Sequence, residues 1–216
     1  MGFVIKCYFI FAPKLLIKMK LNKSLLLAFG LLVLSAALYR VWDGRPYGFA
    51  PQIAMAIFGG AVIKDKRWAF ILPLLSMFIS DALYQLLFVN GLSEIKGFYS
   101  GQWVNYLLFA GLTVFGFAMR KISVKNVLGF SVSGSLLFFL FSNFSVWLGG
   151  GGLNRPKTFD GLLMCYSDAL AFHREYGLIQ GFAGNFILGD LFFCSILFGS
   201  FYIIKKFGFK QSLQYA

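Results

Sequence analysis

Apolar positions in this chain run in long blocks instead of alternating with polar positions. The block LLLAFGLLVLSAAL, for example, shows no period of two, which the strands of an outer-membrane barrel would show. A helix needs roughly 17 to 25 residues to cross about 30 Å of hydrocarbon. The pattern therefore predicts about six membrane-spanning helices. Their predicted ranges are Ser24 to Tyr39, Tyr47 to Ile63, Trp68 to Asn90, Trp103 to Met119, Val127 to Leu148, and a last span that starts between Tyr176 and Asn185 and ends at Ile204.

The second span has the weakest helical pattern. Pro51 suits the first turn of a helix, whereas Gly59 and Gly60 lower helix propensity. We expect this helix to be short, tilted or partly unwound.

Composition agrees with a membrane protein. Of the 216 residues, 59% are hydrophobic and 19% aromatic, and the mean hydropathy is +0.75, which lies outside the range of soluble globular domains. We predict an all-α polytopic membrane protein with a single membrane domain at 24–204. Basic tails at 1–23 and 205–216 flank it.

The net charge of +12 is an orientation signal. Of the 20 Lys and Arg residues, 14 fall on the side that holds both termini. The other side holds Arg40, Arg45, Lys96, Arg155, Lys157 and Arg174. This asymmetry predicts that both termini are cytoplasmic, and it argues against a nucleic-acid partner.

The N-terminal region has two interpretations. A basic stretch after Met19, an apolar run and Ser35-Ala36-Ala37 together resemble a secretory signal peptide, with Met19 as the start. We favour an uncleaved first helix, because Tyr39 follows the small residues and five further spans need an orientation in any case.

Motifs for enzyme chemistry are missing from the sequence. It contains one histidine, His173, and no His-Glu-x-x-His motif, and the run Gly149 to Gly152 is not followed by Lys-Ser or Lys-Thr. The three cysteines are widely spaced, without a Cys-x-x-Cys pair. We therefore predict no catalytic residues, no metal site and no cofactor.

Asp81 and Asp190 lie inside apolar spans, where a carboxylate costs several kcal/mol unless it faces a partner or a cavity. Tyr84 shares a helical face with Asp81, Asn143 lies in a serine-rich face of the fifth span, and Asn185 belongs to a stripe of small residues in the sixth. Serine and glycine stripes are also common at helix packing interfaces. By helical rise, Asp81 and Asn143 lie about 14 and 8 Å below the outer ends of their helices.

An amphipathic helix is predicted between the last two spans. Thr158 is a suitable N-cap, and apolar residues follow at helical spacing to His173, opposite Asp160 and Arg174. We expect the segment Thr158 to Arg174 to lie on the outer surface or to cap a chamber.

Several stretches resemble a known family. They are FAPQIAMAIFGGAVIKDKRWAFILPLLSMFISDALY, GSLLFFLFSNFSVWL, RPKTFDGLLMCYSDAL and GNFILGDLFFCSILFG. They resemble an uncharacterised bacterial family of small membrane proteins assigned to transport. That family is itself similar to the substrate-binding S components of energy-coupling factor (ECF) vitamin transporters. The Ala-x-x-x-Ala motif of many S components is missing from the first span, and His173 to Gly184 resembles an insertion.

The resemblance implies uptake of a small, vitamin-like nutrient across the bacterial inner membrane, with the loop between the first two helices as a lid. Its partners would be the solute, the lipid bilayer, and a transmembrane coupling subunit with two ATPases, or the protein would work alone. We expect Asp81, Tyr84, Asn143, Asn185 and Asp190 to bind the solute beneath a cover formed by the loop Arg45 to Ala50 and the outer helix. The alternatives are a proton-coupled secondary transporter and a non-transporting membrane scaffold.

Overall fold

The structure, a computed structural model, describes residues 23–149 and 153–212. These residues form seven α-helices with connecting loops, and no strand. The helices are α1 (Lys23–Val41), α2 (Gln52–Val62), α3 (Lys66–Val89), α4 (Gln102–Phe117), α5 (Val124–Gly149), α6 (Phe159–Tyr176) and α7 (Asn185–Ser212). The all-α prediction is confirmed for this part of the chain. Three features of the sequence analysis lie outside the described residues. They are the possible start at Met19, residues 150–152 of the glycine run, and the ends of both tails.

Three of these helices, α3, α5 and α7, are long and apolar enough to cross a membrane. The apolar parts of α1, α2 and α4 are shorter, at Leu27–Val41, Gln52–Val62 and Gln102–Phe117. The membrane character of the chain is thus supported, while six complete spans and cytoplasmic termini remain predictions. Leucines along α1, such as Leu27 and Leu31, are 66% and 56% exposed, as a lipid-facing surface requires.

Helix α2 lies at the centre of the bundle and packs against α3, α4, α5 and α7. Its residues 54–57 have no exposed surface. It has 11 residues, about 16 Å of helix, and so the expectation of a short helix is correct. The predicted start at Tyr47 is wrong because Gly48, with φ of +81°, and the N-cap Pro51 keep the preceding segment non-helical.

Glycines bring the neighbours of α2 close to it. A Cβ atom at Gly116 of α4 would lie 2.6 Å from the backbone oxygen of Ile57, and one at Gly59 would lie 2.8 Å from that of Ala69 in α3. Both distances are too short for any side chain. Small residues at these crossings therefore set how closely α3 and α4 approach α2.

The outer amphipathic helix forms where the sequence predicts it. The hydroxyl of Thr158 accepts a hydrogen bond from the backbone nitrogen of Gly161, at 3.2 Å, and caps α6. After α6, Gly181 takes a φ of +83° in a turn. Helix α7 then starts at Asn185, the late end of the predicted range, and continues beyond Ile204 to Ser212.

Candidate functional site

Asp81 lies in the middle of a hydrogen-bond network between α1, α3 and α4. Its carboxylate is 1% exposed and forms a 2.6 Å ion pair with Nη1 of Arg40. The hydroxyl of Tyr106 donates to Oδ2 of Asp81 at 2.7 Å, and the side-chain amide of Gln102 donates to the same oxygen. One cation and two neutral donors thus compensate this buried carboxylate.

Arg40 sits in the last turn of α1 and connects it to α3. Its Nη1 atom also donates to the hydroxyl of Ser80 at 2.6 Å, and its guanidinium lies 5.4 Å from the ring centre of Tyr84. The hydroxyl of Tyr84 donates to the backbone oxygen of Arg40 at 2.7 Å. Tyr84 therefore holds the arginine that neutralises Asp81.

Asp190 of α7 is buried to a similar degree, at 2% exposure, but its surroundings differ. The oxygen of the Ser135 hydroxyl in α5 lies 2.6 Å from Oδ2 of Asp190 and 2.9 Å from the backbone oxygen of Ser131. Among the described residues, the ion pairs are Arg40–Asp81 and Arg155–Asp168, so none of them gives Asp190 a cation. Asp190 has one hydroxyl where Asp81 has three donors.

The single hydrogen of the Ser135 hydroxyl indicates the protonation state of Asp190. A serine hydroxyl carries one hydrogen, and two acceptors lie within its reach. Both contacts become hydrogen bonds when Asp190 is protonated and donates to Ser135, which in turn donates to Ser131. This arrangement leaves no unpaired charge, and it fits the tendency of serines in helices to bond the carbonyl four residues earlier.

The two segments that the sequence predicts as a cover, the α1–α2 loop and α6, contact each other. The ring of Tyr47, in the α1–α2 loop, lies 4.6 Å from that of Phe172 and 4.9 Å from that of His173, both in α6. The backbone nitrogen of Tyr47 donates to the backbone oxygen of Tyr176 at 3.2 Å. Burial lowers the pKa of His173 to about 4, so its imidazole is neutral at physiological pH.

Two cavities open elsewhere on the described surface. A cavity of about 480 Å³ is bordered by Arg174, Glu175 and Gln180 at the end of α6. Another, of about 330 Å³, lies between apolar residues of α4 and α5. Neither is lined by Asp81 or Asp190, so both carboxyl groups are closed off in this conformation.

The comparisons with known proteins give one result. The model of a family of unknown function, DUF6580, matches residues 19–212. The chain belongs to the DUF6580 family. No curated protein and no solved structure matches the sequence.

In this DUF6580 protein, two of the predicted site residues lie apart from both carboxyl groups. The amide of Asn143 donates at 2.8 Å to the backbone oxygen of Phe139 in its own helix. Asn185 is fully buried and closes the turn before α7, since its amide accepts from Ile179 at 2.8 Å and donates to the backbone oxygen of His173 at 3.0 Å. Both asparagine side chains thus bind backbone groups, whereas Ser135, on the serine face of α5, contacts Asp190.

The sequence did not single out three partners of Asp81 in this DUF6580 protein. Arg40 was predicted only as one of the outer basic residues, and neither Gln102 nor Tyr106 was predicted as a partner of Asp81. A signal was present, because all three lie near the outer ends of predicted spans, at a depth that their long side chains can bridge to Asp81. What the sequence does not contain is which spans are neighbours.

Proposed function

We propose that this DUF6580 protein binds a small solute in the outer half of a membrane-embedded helical bundle and takes part in its uptake across the bacterial inner membrane. One observation supports this most directly. Asp190, in a helix able to span a membrane, is 2% exposed and has a single hydroxyl as its recorded side-chain partner. A carboxyl group that only tied helices together would be expected to have its acceptors filled, as those of Asp81 are.

The position of Asp190 favours an outward-facing site. Its helix begins at Asn185, directly after the turn that follows α6, so the carboxyl group lies in the second turn, about 8 Å from the helix start. The α1–α2 loop packs on the same region, since a Cβ atom at Gly189 would lie 2.7 Å from the backbone oxygen of Gly48. A movement of this loop would therefore uncover Asp190.

Binding by an S-component-like mechanism is the form of uptake that we propose first. It is supported by the sequence resemblance to ECF S components and by a cover that the loop and α6 form together. A coupling subunit and two ATPases would then supply the energy.

A thermal-shift screen of the purified protein against vitamins and their precursors tests this proposal. A ligand at a hundred times its dissociation constant stabilises the folded protein by about 2.7 kcal/mol. We expect Asp190→Asn to weaken binding of the identified solute by about 1 to 3 kcal/mol. Asp168→Asn, at a partly exposed carboxylate of α6, is the matched control and should bind normally. Unchanged affinity in Asp190→Asn would remove Asp190 from the site.

Proton-coupled secondary transport is the second candidate, and the single hydrogen of Ser135 favours it. If Asp190 carries a proton in the closed state, its release and rebinding could be coupled to solute movement. In proteoliposomes, uptake by the wild-type protein should then respond to a pH gradient, and uptake by Asp190→Asn should not. Uptake by the wild-type protein that ignores the gradient would exclude this candidate and leave the first in place.

A further inference from the structure

Aromatic rings form a column directly above Asp190. Phe139 lies one turn from Ser135 in α5, and Phe186 lies one turn from Asp190 in α7, so both are about 6 Å further out along their helices. Their rings stack at 4.9 Å with an angle of 13° and are 8% and 9% exposed. This pair, which we call the Phe roof, covers the Ser135–Asp190 contact.

The column continues into the cover. The ring of His173 lies 4.8 Å from that of Phe186, and the ring of Tyr47 lies 4.9 Å from that of His173. The Nδ1 atom of His173 is buried and has no hydrogen-bond partner among the described residues. This nitrogen faces Gly48 of the α1–α2 loop, where a Cβ atom would lie 3.2 Å from it. A polar group that took the place of this loop segment would therefore find an unpaired partner.

The electrostatics of this column favour one sign of charge. The faces of aromatic rings carry negative potential and attract cations within about 6 Å of the ring centre. At the base of the column, a carboxyl group that loses its proton gains a negative charge that no described cation offsets. At the top of the column, Arg45 acts electrostatically on Tyr47. The preference for a cation over a carboxylate or phosphate therefore lies deeper, at the rings of the Phe roof and at Asp190.

We propose that the solute is an organic cation with an apolar body, which separates the two rings of the Phe roof, lies against their faces and pairs its charged group with the carboxylate of Asp190. The proton of Asp190 passes to bulk water as the cation enters, so the net charge at the base of the column is unchanged. This inference rests on the proposed function, and it adds the chemical class of the solute.

Binding of small model compounds to the purified full-length protein tests the inference without knowledge of the natural solute. The probes are benzyltrimethylammonium, which combines a cation with a ring, and phenylacetate, which combines an anion with a ring. By isothermal titration calorimetry in detergent, we expect saturable binding of the cation and at least tenfold weaker binding of the anion. This comparison requires no variant, so misfolding cannot affect it. Equal or tighter binding of phenylacetate would overturn the proposal.

Two substitutions locate the site. Asp190→Asn should weaken binding of benzyltrimethylammonium at least tenfold, and Phe139→Leu should weaken it about 3- to 30-fold. The matched control is Phe141→Leu, because Phe141 lies two residues further along α5 and is 56% exposed on another face of the helix. Equal effects of Phe139→Leu and Phe141→Leu would contradict a site beneath the Phe roof, as would unchanged binding in Asp190→Asn.

These measurements distinguish a failure of the cation inference from a failure of the proposed function. If the vitamin screen yields a neutral or anionic solute whose binding depends on Asp190, the cation inference fails and the proposed function stands. If neither the screen nor the cation probe gives binding that depends on Asp190, both fail.

Discussion

The regions around Asp81 and Asp190 each contain a carboxyl group at nearly the same burial, 1% and 2% exposed. They differ in how many hydrogen-bond donors and cations surround that group. Asp81 receives an arginine, an amide and a phenol from two neighbouring helices. Asp190 has one serine hydroxyl, which is shared with a backbone oxygen. Burial alone therefore does not distinguish the two carboxyl groups, whereas the number of donors around each of them does.

Removal of the cation from the first region should have the largest effect on stability. Arg40→Met preserves much of the side-chain volume but leaves Asp81 as an unpaired buried charge, which costs about 3 to 5 kcal/mol. We expect a large fall in the unfolding midpoint in detergent. Arg155→Met, at the partly exposed ion pair with Asp168, is the control and should change the midpoint little. Equal effects of the two variants would show that Arg40 does not compensate Asp81.

Two tyrosine-to-phenylalanine substitutions test the donors around Asp81 individually. The hydroxyl of Tyr106 donates to the carboxylate, and loss of a hydrogen bond to a charged group costs about 1.5 to 3 kcal/mol. The hydroxyl of Tyr84 donates to the neutral backbone oxygen of Arg40, and a typical neutral bond contributes about 0.5 to 1.5 kcal/mol. We expect Tyr106→Phe to lower the free energy of unfolding more than Tyr84→Phe. The reverse order would place the compensating network elsewhere.

The same substitution at the two aspartates should change the free energy of unfolding by different amounts. The hydrogen count at Ser135 predicts that Asp190 is a neutral acid. The replacement in Asp190→Asn would then be an amide of similar size that can still donate to Ser135, so this variant should change the free energy of unfolding by less than about 1 kcal/mol. Asp81→Asn leaves Arg40 without its counter-ion and should destabilise the protein by several times as much. Unfolding of both variants in the same detergent measures the difference. A strongly destabilised Asp190→Asn would mean that Asp190 is charged and compensated in the folded protein.

The smallest effect is expected at a third carboxylate, Asp168 of α6, which is partly exposed. The hydrogen-bonded guanidinium of Arg155 lowers the pKa of Asp168 below its ordinary value. A lowered folded-state pKa contributes stability that is present above the unfolded-state value of about 4 and is lost as the pH falls through the folded-state value. The wild-type protein should thus lose a small advantage over Asp168→Asn between pH 5 and pH 2, about the range in which such groups titrate. An unchanged difference across this range would mean that the pair contributes nothing in solution.

The helices and the depth of the carboxyl groups could be predicted from the sequence because both are local properties. Apolar runs located six of the seven helices, the amphipathic spacing after Thr158 located α6, and Pro51 with two glycines indicated the short α2. The burial of Asp81 followed from the cost of a charge exposed to lipid.

Pairing between helices could not be predicted in the same way. Helical periodicity places Asn143 and Asp81 on polar faces, but it does not say that α3 faces Arg40 of α1 and Gln102 of α4 instead of α5. The role of Asn185 was missed for a related reason. Its amide binds the backbone of the preceding turn, and the path of that turn depends on the position of α6.

The length of α2 has a consequence for the membrane potential. A three-residue link, Ile63 to Asp65, joins the end of α2 to the basic start of α3 at Lys66 and Arg67, so the predicted topology puts that end at one membrane surface. In that topology, about 16 Å of helix would bring Gln52 only about halfway across the hydrocarbon. The loop segment next to Gln52 would then lie below the opposite surface, where protein or water must enclose it. Where water surrounds this loop, the membrane potential drops across a layer about half as thick as the bilayer. A charge that crosses beside α2 would experience the full potential over that shorter distance, at about 2.3 kcal/mol per 100 mV.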